Sequence, residues 1–112
     1  MFLKKQDLYL KIRPNDLEQI IGQNDDVINH SLNYSECIMR SYLSAYNLEN
    51  LFGAEDRDTL LISFGVDIAI YEIIAISRPN ISLTDKRERK QDAIKYLEEI
   101  RDKKIVTTWV SK

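Results

Sequence analysis

The sequence predicts an all-α fold: one compact domain of about five helices, with a long central apolar helix and an extended C-terminal tail. Three observations carry this expectation. Only three glycines and two prolines occur in 112 residues, too little turn chemistry for a β-sandwich. An apolar run from about Asp58 to Arg78 continues for roughly 20 residues without a turn signal, which is too long for one strand. Finally, Ile28, Leu32, Ser35, Met39, Tyr42 and Tyr46 recur at alternating spacings of three and four, the period of one helix face. A chain of this length buries roughly two-thirds of its unfolded surface, so one core suffices without staples.

The first element is short, Lys4 to Ile12, and stops at Arg13-Pro14, because proline disfavours α geometry in the residue before it. Pro14 suits the opening of the next helix, which carries Asp16–Ile21 and ends at Gly22, a natural left-handed cap. Asn24 or Asp25 caps the third helix, and Asp25 and Asp26 suit the positive end of its dipole. Val27, Ile38 and Leu43 widen its apolar stripe, and it should fade near Tyr46-Asn47. A short loop through Leu48–Gly53 follows, then Ala54-Glu55-Asp56-Arg57, polar and exposed. The fourth element is apolar on nearly every side, which makes it a central helix covered by its neighbours, and Pro79-Asn80 stops it. The fifth opens with a capping-box pattern, Ser82-Leu83-Thr84-Asp85. Ala93, Ile94, Leu97 and Ile100 form its docking stripe beneath a surface of alternating charge. Past Lys104 the pattern changes to Ile105-Val106-Thr107-Thr108-Trp109-Val110, which is β-prone and has no turn to pair it with an earlier strand. The helical domain is therefore expected over residues 1–104 and the tail over 105–112.

About 44% of residues are hydrophobic and 30% charged, an ordinary globular balance. The net charge of −2 lacks the basic excess of a protein that works by neutralising phosphates. Cys37 is the only cysteine, so it forms no internal disulfide and reads as a small buried thiol in a reducing compartment. The segment Met1–Asp7 lacks the apolar core of a signal peptide, and no uninterrupted apolar stretch reaches a bilayer-spanning length. A cytoplasmic protein without a membrane partner is expected.

Candidate chemistry is sparse, and no catalytic, cofactor-binding or metal-binding residue is assigned. His30 stands four residues after Asp26, but a zinc site needs three or four ligands and no second histidine exists. It reads as a surface or cap-side histidine. Cys37 has no base paired with it, and no glycine-rich phosphate loop or nucleophile elbow occurs. Asp67 is the most informative polar residue, since a carboxylate inside an apolar helix costs several kcal/mol unless paired. A structural ion pair with Arg40, Arg87 or Arg89 is expected. The two helices flanking Gly22 have the outline of a helix-turn-helix, the alternative reading as a small DNA-binding regulator. Asp25 and Asp26 would then face phosphate, and acids interrupt the basic cluster Lys86, Arg87, Arg89 and Lys90, so sequence-specific nucleic-acid binding is not expected. The strongest interaction feature is the tail. Trp109, flanked by Ile105, Val106 and Val110, either folds back on its own core or anchors on a neighbouring subunit. Assembly contacts are expected there and in the Asn47–Asp58 loop, with Phe52.

Several segments together resemble a known family. They are Met1-Phe2-Leu3 with Asp7-Leu8-Tyr9, Tyr42-Leu43-Ser44-Ala45-Tyr46, Leu51-Phe52-Gly53 and Arg57-Asp58-Thr59-Leu60-Leu61. Asp67-Ile68-Ala69-Ile70-Tyr71, Arg78-Pro79-Asn80-Ile81 and Arg89 with Asp92–Leu97 complete the set. In order and spacing they resemble the Mu-like prophage family of small helical proteins encoded among phage head and tail-assembly genes, through about Lys103. That family looks related to the head–tail connectors that form a ring beneath the portal. The resemblance implies a non-enzymatic virion-assembly adaptor without a cofactor, which self-associates and contacts portal and tail-completion proteins. It would be cytoplasmic during assembly and part of the virion afterwards. The mildly acidic charge fits a DNA channel, because repulsion keeps passing DNA from sticking. The tail from Ile105 to Val110 has no match in the resemblance.

Overall fold

A computed structural model describes residues 2–53 and 55–112. The expected exposure of Ala54 and the Met1 end of the resemblance lie outside the described residues. A 3-10 turn, Lys5–Leu10, precedes five α-helices: α1 (Pro14–Ile21), α2 (Asp25–Tyr42), α3 (Leu48–Gly53), α4 (Thr59–Ser77) and α5 (Thr84–Arg101). The fold is all-α, and α4 is its axis. By length and composition α4 could cross a membrane, yet α2, α5, α1 and the 3-10 turn pack around it. Leu61, Val66, Ile68, Ala69 and Ile73 are fully buried there, each larger side chain contributing about 1.5–3 kcal/mol.

Local chemistry explains most boundaries. Pro14 opens α1, and Gly22 closes it at φ +64° and ψ −124°, a conformation that only glycine adopts without strain. Asp58 caps α4, its Oδ1 accepting the Leu61 N–H at 3.0 Å. The crossing of α2 over α4 is close because Ser35 and Gly65 are small. Ser35 Oγ donates to the Gly65 carbonyl at 2.7 Å, and the space a Cβ at Gly65 would need holds the ends of Leu3 and Met39.

Several expectations need correction. The third predicted helix, here α2, stops at Tyr42 rather than near Tyr46, and the expected loop at 48–53 is the short helix α3. The Ser82 capping box does not form: Leu83 occupies the cap position, while Ser82 Oγ lies 3.3 Å from Thr84 Oγ1. Cys37 is exposed, not buried, because it lies two residues from both Ser35 and Met39 and so on the opposite side of α2. His30 is exposed and stacks on Tyr34.

Arg57, expected to be exposed, is largely covered and forms the main internal ion pair with Asp7. Its two terminal nitrogens donate to Asp7 Oδ2 at 2.6 Å and Oδ1 at 3.1 Å, and the first also donates to the Phe2 carbonyl at 3.0 Å. Asp7 Oδ2 also accepts the Lys4 N–H at 2.7 Å, and the Phe2 N–H donates to Glu36 Oε1 at 2.8 Å. These bonds thread the segment before α1 between α2 and α4, where Phe2 meets Phe52 edge-on at 5.1 Å. Burial pushes the Asp7 carboxyl up, but the Arg57 hydrogen bonds, the Lys4 N–H and the Arg57 charge outweigh it, and the group sits below its usual value.

Candidate functional site

Asp67 has a different partner from those expected. Its Oδ2 accepts from Lys11 Nζ at 2.7 Å, and that ammonium also donates to Ser63 Oγ at 2.8 Å and the Ser63 carbonyl at 3.2 Å. The chain between the 3-10 turn and α1 passes over this side of α4, so Lys11 arrives first. Arg40 instead pairs with Glu36 at 3.1 Å and covers the Phe52 ring at 4.9 Å, while Arg87 and Arg89 are exposed on α5. The ion pair is a strut that ties the chain before α1 to α4 through one carboxylate oxygen. Among the described residues, no three His, Cys, Asp or Glu side chains converge to hold a metal ion.

The feature with interaction chemistry is the C-terminal arm and the socket that receives it. Helix α5 ends in a Schellman turn: Lys104 N–H donates to the Glu99 carbonyl at 2.8 Å, and Lys103 N–H donates to that of Ile100 at 3.2 Å. The residue in the left-handed position is Lys103, at φ +63°, where glycine is usual. Its ammonium lies 4.6 Å above the Tyr46 ring. The arm then runs extended across residues 45–58. The Trp109 indole N–H donates to Asp58 Oδ2 at 2.8 Å, and the indole meets Tyr46 edge-on at 5.7 Å. Asn47 N–H donates to the Val110 carbonyl at 2.8 Å, Lys112 N–H donates to that of Ala45 at 3.0 Å, and Tyr46 pairs with Ser111 in one antiparallel bridge.

The two regions expected to make assembly contacts, the tail and the 47–58 segment, therefore meet each other. Trp109 and Ile105 are partly buried against the core, and Phe52 lies inside it, 5% exposed, so Phe52 cannot be an outward contact. Val106 and Val110 remain bare, at 91% and 50% exposure. Asp58 was read only as a segment boundary in the sequence, yet it has two functions: Oδ1 caps α4 while Oδ2 holds the tryptophan. Its position just before the apolar run could have marked the cap, but nothing local marks the indole partner 51 residues away.

Residues 2–111 match a protein family described as bacteriophage Mu, Gp36. The chain belongs to this family. The match takes in the arm, where the sequence resemblance had stopped, so the arm is a part of the Mu Gp36 pattern and not an appendage to it. Neither a curated protein nor a solved structure matches the chain.

Proposed function

We propose that this Mu Gp36 family member is a head–tail connector, a non-enzymatic adaptor that self-associates, in a ring-like homo-oligomer, and joins the phage portal to the tail through portal and tail-completion proteins. Family membership supplies the phage context. The observation that carries the assembly role is the arm: an extended segment with a tryptophan anchor, held by main-chain hydrogen bonds, with Val106 and Val110 bare beside it. Strand addition with an aromatic anchor is a recurrent mode of subunit contact. The compact body suits a building block, with its polar interior closed by the Asp7–Arg57 and Lys11–Asp67 pairs. On this reading the protein is cytoplasmic during assembly and part of the finished virion, with no cofactor and no membrane.

The DNA-regulator alternative draws no support from the α1–α2 pair. The exposed side of α2 presents Asp25, Asp26, Asn29, His30, Asn33 and Tyr34, and its one basic residue, Arg40, is already paired with Glu36. The deciding experiment is the mass of the full chain by multi-angle light scattering, alone and with the portal protein of its own phage. A defined oligomer, or a stoichiometric complex with portal, is expected. A chain that stays monomeric and passes portal without binding rejects the connector reading.

A further inference from the structure

We propose that the arm beyond Lys103 is exchanged between copies, the Trp109 of one chain filling the Tyr46–Asp58 socket of the next; this rests on the connector reading and names its contact. The occupant is a second copy of this chain, and the first argument is identity. Every polar contact that seats the tip of the arm runs to residues 45–58. All of these can form unchanged between two chains, so the exchanged and self-clasped forms differ mainly at the hinge.

The hinge is where the strain lies. Among the described residues Lys103 is the sole non-glycine with positive φ. A left-handed turn is needed to fold the arm back on its own body, and an opened, extended hinge releases it. Reach follows from length. Trp109 lies six residues beyond Lys103, about 20 Å when extended, comparable to the 19 Å smallest extent of the whole chain. The released arm is therefore long enough to reach an adjacent copy. Val106 supplies the last argument. In the self-clasped form this valine stands 91% exposed in mid-arm, the segment that crosses from one body to the next after exchange and is covered there. Arm and socket are separate surfaces on each chain, so each copy gives one arm and receives one, the head-to-tail relation that closes into rings.

The test changes the hinge and leaves the contacts alone. Full-chain Lys103→Gly and Lys103→Val both lose the ammonium over Tyr46. Glycine makes the left-handed turn easy, whereas β-branched valine resists it. Sedimentation should show Lys103→Val associating more tightly than Lys103→Gly, by roughly fivefold to thirtyfold per exchanged arm. A second measurement mixes two full-chain variants. Trp109→Ala keeps the socket but has no anchor. Asp58→Asn keeps the anchor and the α4 cap, but its amide N–H can be turned against the indole N–H. Each alone should be monomeric, and the mixture should give a heterodimer. Equal association of the hinge variants, or no heterodimer, overturns arm exchange, even where the wild-type chain forms oligomers through another surface. A wild-type chain that is monomeric alone and with portal overturns the connector reading instead, and the hinge comparison then still decides arm exchange.

Discussion

Replacing Asp7 with asparagine tests whether the segment before α1 is held by charge or merely by packing. The wild-type carboxylate accepts three N–H groups, two from Arg57 at 2.6 and 3.1 Å and one from Lys4 at 2.7 Å. The side chains of Asp7 and Arg57 are only 9% and 23% exposed, so water replaces little of what is lost. Asparagine keeps one carbonyl acceptor, and Arg57 keeps the Phe2 carbonyl. A net loss of about 2–3 kcal/mol follows, or a Tm lower by about 10 °C for a domain of this size. The pH dependence has a definite sign. The folded-state pKa of Asp7 lies below the ordinary aspartate value, so its stabilisation is complete above that ordinary value and disappears as pH falls through the folded one. Urea denaturation followed by circular dichroism, at neutral pH and at about pH 2–3, reads both effects. The gap between wild type and Asp7→Asn should be full at neutral pH and shrink in acid. A gap under about 0.5 kcal/mol at neutral pH, or one undiminished in acid, would refute the charge-held reasoning.

Four further outcomes follow from single positions. Gly22→Ala should cost about 1–2 kcal/mol from backbone strain alone, since a Cβ there meets nothing within 4 Å at φ +64°; chemical denaturation with no change in midpoint would mean that the α1–α2 turn adopts another conformation. Gly65→Ala should cost about 1–3 kcal/mol, because its Cβ would come within 2.7 Å of Leu3 and 2.8 Å of Met39. Gly53→Ala, with open space around it, should be neutral or slightly stabilising, and calorimetry of the pair checks the contrast. Cys37 is exposed, so a thiol reagent should modify it in the native protein about as fast as in urea, and Cys37→Ser should shift stability by less than about 0.5 kcal/mol. Protection of the native thiol would contradict its outward position.

Boundaries written in local chemistry were legible in the sequence. Proline at the start of α1, glycine at its end and Pro79 after α4 each act through their own backbone. The end of α2 was not legible, because Leu43 and Tyr46 continue the helical spacing and are buried, but as core residues in the turn that follows. Tyr46 is claimed by the arm, whose Ser111 is 65 residues away in sequence, and periodicity carries no trace of such a partner. The same reason hid Asp7 with Arg57 and Asp67 with Lys11, pairs separated by 50 and 56 residues. Asp67 was identified as a buried carboxylate needing a cation, but choosing the cation requires knowing which segment covers that side of α4. Cys37 is a different kind of miss. Its two-residue offset from Ser35 and Met39 put it about 200° from the stripe, and the general tendency of cysteine to be buried displaced a pattern that was present.

Two neighbouring residues, Arg57 and Asp58, hold the two ends of the described chain, yet they do so independently. Arg57 clamps the segment around Phe2 and Asp7 from one side, while Asp58 holds Trp109 with the carboxylate oxygen that the α4 cap leaves free. Releasing the indole therefore leaves the cap and the Asp7–Arg57 pair in place, and the bodies of α2, α4 and α5 lose no buried polar contact. Opening breaks the indole hydrogen bond, the two main-chain hydrogen bonds at the arm's tip and the turn bonds at the end of α5, and it exposes the partly buried Trp109 and Ile105. In the proposed exchange another copy restores the contacts at the socket. The proposed exchange needs an arm that detaches without unfolding its own subunit, and the division of labour between these adjacent side chains fits that need.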